Sequence, residues 1–322
     1  MPIANTNSIS PLNPQVRDAL FLFIFFLPLA RSTYSIVATD KVSRQVGGAG
    51  AACLPNNDLF RVLYVSAPNS TVLHTQGLLM EDRDDPILNK ATNMMQKGDY
   101  EELGDIFNAM QILDTTEYSF IDADETQQST NRFNLRQYGI ADFDSHAGHT
   151  GKDLSHFFES KGYNSVQSDG GMTSVSDRYN YHAIGNVVKY GTVTMLQRGF
   201  ENQLDDFNVG ICDMAGRLMA ALKSVSDGDF GDVRCLEQNN KTSAAGAFLH
   251  IDNADGTRSI HINIIGDGTS EPIEALQKEF DIWRANNRCF SETSGASLGI
   301  KSSIFVQILT FVVLLSTGLS FL

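Results

Sequence analysis

Thr33 is the residue whose position most plainly could do chemistry. The apolar run ALFLFIFFLPLA, residues 19–30, ends in Ala30-Arg31-Ser32. Cleavage after Ser32 would leave Thr33 carrying a hydroxyl and a free α-amine on one residue. An α-amine titrates at about 7.7–8.0, so a neutral fraction exists around pH 7. That amine can take the hydroxyl proton directly or through water, the threonine form of N-terminal nucleophile activation. The densest polar cluster, Asp142 to His156 (DFDSHAGHTGKDLSH), sets His146 and His149 near Asp142, Asp144 and Asp153. Its His-x-x-His lacks the helical context and the glutamate of the H-E-x-x-H pattern. A solvated turn accounts for the aspartates, so neither a metal nor a cofactor is expected. The stretch Gly47–Gly50 has no Lys-Ser/Thr after it and is not a phosphate loop. No Gly-x-Ser-x-Gly elbow falls between residues 33 and 290, so that stretch lacks the usual α/β-hydrolase signal.

The two ends carry addressing signals. A twelve-residue apolar run is too short to cross a bilayer, and small residues follow it, so residues 1–32 are expected to be a secretory signal peptide. Near the other end, Ser294, Gly295 and Ala296 precede a polar spacer with Lys301 and an apolar run from Ile304 to Leu322. This pattern is expected to be a glycolipid-anchor signal with Ser294 as the attachment residue. The expected organisation is a leader at 1–32, one domain at 33–290 and a removable signal at 291–322. The mature protein is then expected on the extracellular face of the cell membrane, tethered to the outer leaflet by lipid. With 38 acids against 24 bases and a formal charge of −14, the chain is not expected to bind nucleic acid, which needs a basic face.

The four cysteines, Cys53, Cys212, Cys235 and Cys289, are an even set for an oxidising compartment and are expected to form two disulfides. Three connectivities are open; Cys212–Cys235 is preferred because the two flank one helix and the loop after it. Asn69-Ser70-Thr71 and Asn240-Lys241-Thr242 are sequons that secretion makes usable, so Asn69 and Asn240 are expected to carry glycans.

The elements that must position these residues follow from periodicity. Thr33–Thr39 alternates and is β-branched, and Gly47–Cys53 (GGAGAAC) reads as a second strand whose small residues admit a close neighbour. Helical spacing marks Ile87, Leu88, Ala91, Met94 and Met95 after Pro86, and then Leu103, Ile106, Phe107 and Met110. Gln137–Ala141 and Ala147–Thr150 read as strands around a turn at 142–145, and 152–178 reads as a polar insertion. Tyr181–Val188 is a further strand. Two helices follow, one with Val193, Leu196, Phe200 and Leu204, the next with Ile211, Met214, Leu218, Leu222 and Val225. Asp255-Gly256 signals a hairpin between Ala244–Ile251 and Ser259–Ile265. Pro272 opens a last helix with Ile273, Leu276, Phe280 and Trp283. The expected class is one α+β domain, antiparallel sheet covered by helices.

The order of several motifs resembles a known family. TYSIVATD, GGAGAAC and HTQG (His74–Gly77) open the series. RQYGIAD at 136–142, HTG at 149–151, YHAIGN at 181–186 and the helix AGRLMAAL at 215–222 continue it, and the final hairpin and Pro272 helix close it. Together, spanning about 33–285, these are similar to the uncharacterised, largely bacterial family known as domain of unknown function 1028. The resemblance implies an N-terminal-nucleophile hydrolase-like fold, a four-layer αββα sandwich with two antiparallel sheets between helical layers. Bacterial members typically begin Met-Thr-Phe/Tyr-Ser, so loss of Met would expose the threonine that Thr33 matches. The leader, the anchor signal, the sequons and the 152–178 insertion are departures from the family pattern.

Two functions fit. In the first, a surface-tethered amidohydrolase, Thr33 attacks an amide and Asn186, beside Gly185, stabilises the oxyanion. Thr75 and Gln76 would then face an unidentified amide-containing substrate. In the second, the same fold is a non-catalytic surface binding or structural module that needs no free amine. Location can be tested independently of both. Phosphatidylinositol-specific phospholipase C is expected to release the protein from intact cells; its retention while a control anchored protein is shed would mean a transmembrane tail.

Overall fold

A computed structural model describes residues 33–77, 85–121, 124, 126–159, 166–172, 177–203, 212–237 and 241–287. The expected leader, Asn240, Cys289, Ser294 and the 291–322 signal lie outside the described residues, as do Leu204 and Ile211. The described residues all fall in one unit, Met1–Cys289, and the fold is mixed α+β.

Six antiparallel strands form the larger sheet, in the order β12 (Arg258–Ile265), β11 (Gly246–Asp252), β2 (Gln45–Ala52), β1 (Thr33–Asp40), β10 (Tyr179–Asn186) and β9 (Val166–Met172). Four more form a second sheet, in the order β3 (Tyr64–Ala67), β4 (Thr71–Gly77), β7 (Arg136–Asp142) and β8 (His146–Thr150). The pair β5 (Glu117–Ile121) and β6 (Gln127–Asn131) stands apart.

All of β1 is buried, and its pleat sorts its residues between two faces. Tyr34, Ile36 and Ala38 pack with Leu196 of α5 (Thr192–Asn202), Leu218 and Leu222 of α6 (Cys212–Asp227), and Leu276 and Phe280 of α8 (Pro272–Asn286). Val37, on the other face, packs with Val72 of β4, Ala141 of β7 and Phe248 of β11. The outer face of the second sheet meets helices too. Leu73, Tyr138 and Ile140 cluster with Leu88 and Met95 of α2 (Pro86–Lys97) and with Ile106 and Met110 of α3 (Leu103–Leu113).

Helix α2 shows how local chemistry sets these boundaries. Asp85 caps it by accepting from the Ile87 N–H at 2.8 Å, and Pro86 sits in the first turn, where its missing N–H costs nothing. Gly98 ends it in the left-handed conformation, φ 66°. The stripe Ile87, Leu88, Ala91, Met94 and Met95 is the buried face, as its spacing predicts.

Several expectations need correction. The 152–178 segment is not merely a polar insertion: it holds α4 (Leu154–Glu159), with Leu154, Phe157 and Phe158 buried, and the edge strand β9. The preferred Cys212–Cys235 bridge does not form. Cys53 pairs with Cys235 across 182 residues, because β2 carries Cys53 to the start of β11, where the Ala245 N–H donates to the Ala52 carbonyl at 2.9 Å. Cys212 is also disulfide-bonded, and the fourth cysteine, Cys289, lies outside the described residues. The Asp255-Gly256 hairpin forms as expected, with Asp255 accepting from Thr257 and Gly256 at φ 80°.

The small residues of β2 do admit close neighbours. A Cβ on Gly48 would lie 2.4 Å from His74 Nε2 and 2.9 Å from the Ile36 carbonyl oxygen. His74 cannot retreat, being fully buried with its ring against Tyr64 and Phe248. Gly48→Ala is expected to destabilise the fold by about 1–3 kcal/mol through overpacking. The measurement is the urea midpoint at unchanged m-value; an unaltered midpoint would contradict this packing.

Candidate functional site

Thr33 opens β1, and the register sets it directly opposite Ala52 of β2 on one side and Asn186 of β10 on the other. The two residues assigned to nucleophile and oxyanion roles are therefore cross-strand neighbours. Alternation fixes the face they share. Thr39, with the parity of Thr33, donates to the Asp142 carbonyl of β7 at 2.6 Å. Asn180, with the parity of Asn186, donates to the same carbonyl at 3.2 Å. Thr33 and Asn186 thus lie on the face turned toward the second sheet, and both are fully buried.

Ser35 shares that face, and its hydroxyl donates to Gln76 Oε1 at 3.4 Å. Gln76 Nε2 donates to Gln137 Oε1 at 2.6 Å, and Gln137 Nε2 donates to Thr150 Oγ1 at 3.2 Å and to the Gln167 carbonyl at 2.7 Å. This relay of amides crosses from β1 through β4 and β7 to β8 and β9. Ser35, Gln76 and Gln137 are nine-tenths or more buried, so each hydrogen bond offsets a desolvation cost of about 1–3 kcal/mol. Thr33 Oγ1 differs, being buried with no hydrogen-bond partner.

The surroundings brace this end of the sheet. Cys53 follows the Ala52 that pairs with Thr33, and its N–H donates to Asp232 Oδ2 at 2.8 Å. Asp232 is buried, pairs with Arg234 at 3.0 Å, and caps the short helix α7 (Val233–Leu236). The Cys53–Cys235 bridge ties β2 to α7 at the same place.

Other residues singled out in the sequence go elsewhere. Thr75 has the parity of Leu73, which packs with α2 and α3, so it lies on the face of β4 away from Gln76. The His146–His149 cluster does not converge. His146 Nδ1 lies 3.3 Å from His182 Nδ1, whose Nε2 meets Ser168 Oγ at 2.9 Å. His149 packs its ring on Phe133, centroids 4.2 Å apart. Asp142 accepts from Ser145 within its turn, and Asp153 accepts from Thr130. Among the described residues no group of three or more His, Cys, Asp or Glu could hold a metal ion.

The sequence reading missed Ser35, Gln137 and Asp232. Two-residue spacing from Thr33 was a usable signal for Ser35. Gln137 and Asp232 carried none, since their roles arise from pairing between distant segments.

No protein-family model matches the chain, and no curated protein matches it either. A solved structure of a protein from Silicibacter pomeroyi, described as belonging to domain of unknown function 1028, is similar to it with a TM-score of 0.52 and 16% identity. The similarity covers 79% of this chain and 86% of that one. The chain therefore shares the fold of a structure from the family that its motifs resemble.

Two histidines inside the molecule are expected to make the fold acid-sensitive. Burial, and then the nearby His250, depress the His74 pKa from 6.5 to about 3. Burial, and then His146, depress that of His182 to about 4, against an opposing pull from Asp169. Well above pH 6.5 both rings are neutral whether the chain is folded or not. As pH falls from 6.5 toward those values the unfolded chain takes up protons that the folded chain refuses, so stability is lost. Between pH 6.5 and 5 each histidine is expected to remove about 2 kcal/mol. Urea unfolding at the two pH values measures it, and His74→Phe should shrink the loss; equal stability at both would contradict the burial argument.

Proposed function

We propose that this protein is a secreted, lipid-anchored cell-surface amidohydrolase of the N-terminal-nucleophile type, with mature Thr33 as nucleophile. The observation that carries this reading is the register that places Thr33 opposite Asn186, with the Thr33 hydroxyl buried and unpartnered. The arrangement of helices, larger sheet, second sheet and helices supports assignment of the fold as a four-layer αββα sandwich of the N-terminal-nucleophile hydrolase kind. The sequence signals for the leader, for attachment at Ser294 and for glycans at Asn69 and Asn240 support the location. Asn69 is exposed in the β3–β4 turn, where a glycan has room.

In this mechanism, release of residues 1–32 frees the Thr33 α-amine. The amine takes the hydroxyl proton as Oγ1 bonds to the amide carbon of the substrate, forming a tetrahedral intermediate. Asn186, through its side-chain amide or the adjacent backbone N–H groups, stabilises the negative oxygen. The C–N bond breaks as the ammonium returns its proton to the departing amine, leaving an acyl ester on Thr33. Water, deprotonated by the same α-amine, hydrolyses the ester and restores the hydroxyl.

An electrophilic β-lactone reports on this chemistry. Labelling is expected on Thr33 and on no other hydroxyl. It should vanish in Thr33→Ala with folding retained and persist measurably in Thr33→Ser. One extra residue before Thr33 should damage labelling nearly as much as Thr33→Ala, because the new peptide bond abolishes the amine's basicity. If the extended protein labels like wild type, the mechanism is wrong and the non-catalytic binding module replaces it.

A further inference from the structure

Strands β9 and β8 are edges of their two sheets, and a hydroxyl and two imidazoles meet between them. Ser168 Oγ lies 2.9 Å from His182 Nε2, and His182 Nδ1 lies 3.3 Å from His146 Nδ1. Ser168 comes from β9, His182 from β10 and His146 from β8. Ser168 stands opposite Ile184, so it shares with His182 the face turned toward the second sheet.

Glycines make room for the central imidazole. A Cβ on Gly148 of β8 would lie 2.1 Å from His182 Nε2 and 2.7 Å from Ser168 Oγ. One on Gly170 of β9 would lie 2.4 Å from His182 Nδ1 and 2.6 Å from His146 Nδ1. His182 is only 6% exposed, whereas Ser168 is exposed, so solvent reaches the serine while packing holds the imidazole behind it. Another facing pair, His250 and His261, is built differently. Their Nδ1 atoms lie 3.0 Å apart beside Phe60 of α1 (Leu59–Leu63), and His250 Nε2 meets the Asp252 carboxylate at 2.8 Å.

The ladder supplies one more part. Lys41 N–H donates to the Arg178 carbonyl at 3.0 Å, which sets the alternation of bonds between β1 and β10. Ile184 therefore bonds to Ser35 of β1, and its pairing with Ser168 is the kind without hydrogen bonds. The Ser168 N–H thus points off the edge of the sheet. The Gly170 N–H does the same and donates to the Asp169 carboxylate at 2.8 Å.

We propose that Ser168, His182 and His146 form a second nucleophilic centre, a serine esterase site for esters of acidic alcohols such as phenols. A hydroxyl within reach of a base that a third group orients is the general signature of an activated nucleophile. His182 Nδ1–H donates to His146 Nδ1, which leaves Nε2 to accept the Ser168 proton as Oγ bonds to the ester carbon. The Ser168 N–H is a donor for the oxygen that becomes negative. The C–O bond to the alcohol breaks, the proton on His182 passes to the departing oxygen, and an acyl ester remains on Ser168. Water, deprotonated by His182, releases the acid and restores the hydroxyl. Burial, and then His146, depress the His182 pKa to about 4, so the imidazole is neutral at pH 7 but a weak base. Reactivity must then come from the substrate. An alcohol that leaves as a stable anion supplies it; an amide, or the alkyl ester of a β-lactone, does not.

The full chain treated with a fluorophosphonate, with the label located by peptide mapping, tests the site. The phosphorus is expected on Ser168 Oγ, with fluoride as the leaving group, and the protein should hydrolyse p-nitrophenyl acetate saturably. Ser168→Ala should lose both with an unchanged circular-dichroism spectrum, since Ser168 is exposed. His182→Gln should slow labelling by about 10²–10⁴-fold; if that variant does not fold, the His146 variants test the base in its place. His146 is a positioning residue, so His146→Ala should slow labelling, and His146→Asn, whose amide oxygen can accept from Nδ1–H, should restore it. A label on Thr33 instead would leave the N-terminal-nucleophile reading standing and overturn this one. Absence of label from Ser168, hydrolysis unmoved in Ser168→Ala, or His146→Asn no faster than His146→Ala would also overturn it.

Discussion

Burial of β1 on both faces is the constraint from which the rest of the architecture follows. Its backbone is paired along its whole length by β2 and β10, and water reaches neither face. Every polar side chain on it must then find a partner inside the protein or go without. Tyr34 reaches Ser243, Ser35 reaches Gln76, Thr39 takes the Asp142 carbonyl, and Asp40 takes Arg178. Those partners lie on two strands of the second sheet and in two separate loops, so the polar residues of one strand dictate what its neighbours must carry. Within β1, Thr33 Oγ1 is the side-chain oxygen left without a hydrogen bond. Such an exception is where function is sought, since an unsatisfied buried hydroxyl costs stability that nothing local repays.

The same demand explains the charges buried elsewhere. Arg136, with no exposed surface, lies 3.3 Å from Asp114 and 3.7 Å from Asp85. Asp85 starts α2 and Asp114 ends α3, so one guanidinium from β7 anchors two helix termini to the sheet. At the far end of β1, Arg178 grips both oxygens of Asp40, at 2.8 and 2.6 Å, and reaches Asp213 of α6 at 3.0 Å. Burial would raise the Asp40 carboxyl, but hydrogen bonds from Arg178, the Ser43 hydroxyl and the Val42 N–H hold it below its ordinary range. These pairs add little net stability over an apolar core, yet removing one partner strands the other at about 3–5 kcal/mol. They act as registers, since only one placement of each helix end satisfies them.

What could be read in advance divides along the same line. Helices α2, α3, α6 and α8 declare themselves because each buries one stripe, and a stripe has a period. Strands β1 and β2 declare themselves through β-branching and small residues. The β5–β6 pair does not, because Gln127–Asn131 (QQSTN) has no apolar alternation and its first three residues are exposed. Strand β9 does not either: Asp169-Gly170-Gly171 reads as a turn, and only pairing with β10 makes it a strand. Thr33 and Asn186 were legible as residue types, but their juxtaposition is a property of register. The Gln76–Gln137 relay and the Cys53–Cys235 bridge are likewise products of long-range pairing, which local arguments about flanking helices misjudge.

Register also bears on how the proposed nucleophile, Thr33, would be held without a loop. Paired on both sides, the Thr33 backbone has its Cα placed by the sheet, and the bridge at Cys53 with the Asp232 bond to its N–H fixes the neighbouring strand end. The remaining freedom is one side-chain torsion, and a β-branched residue is already restricted there. Catalysis by proximity needs placement within a fraction of an ångström. In the proposed mechanism, a strand start clamped by two neighbours would supply it at no cost in ordering on substrate binding. Under that mechanism serine at the same position would keep both reacting groups but add rotamers, so threonine would suit the packing as well as the chemistry.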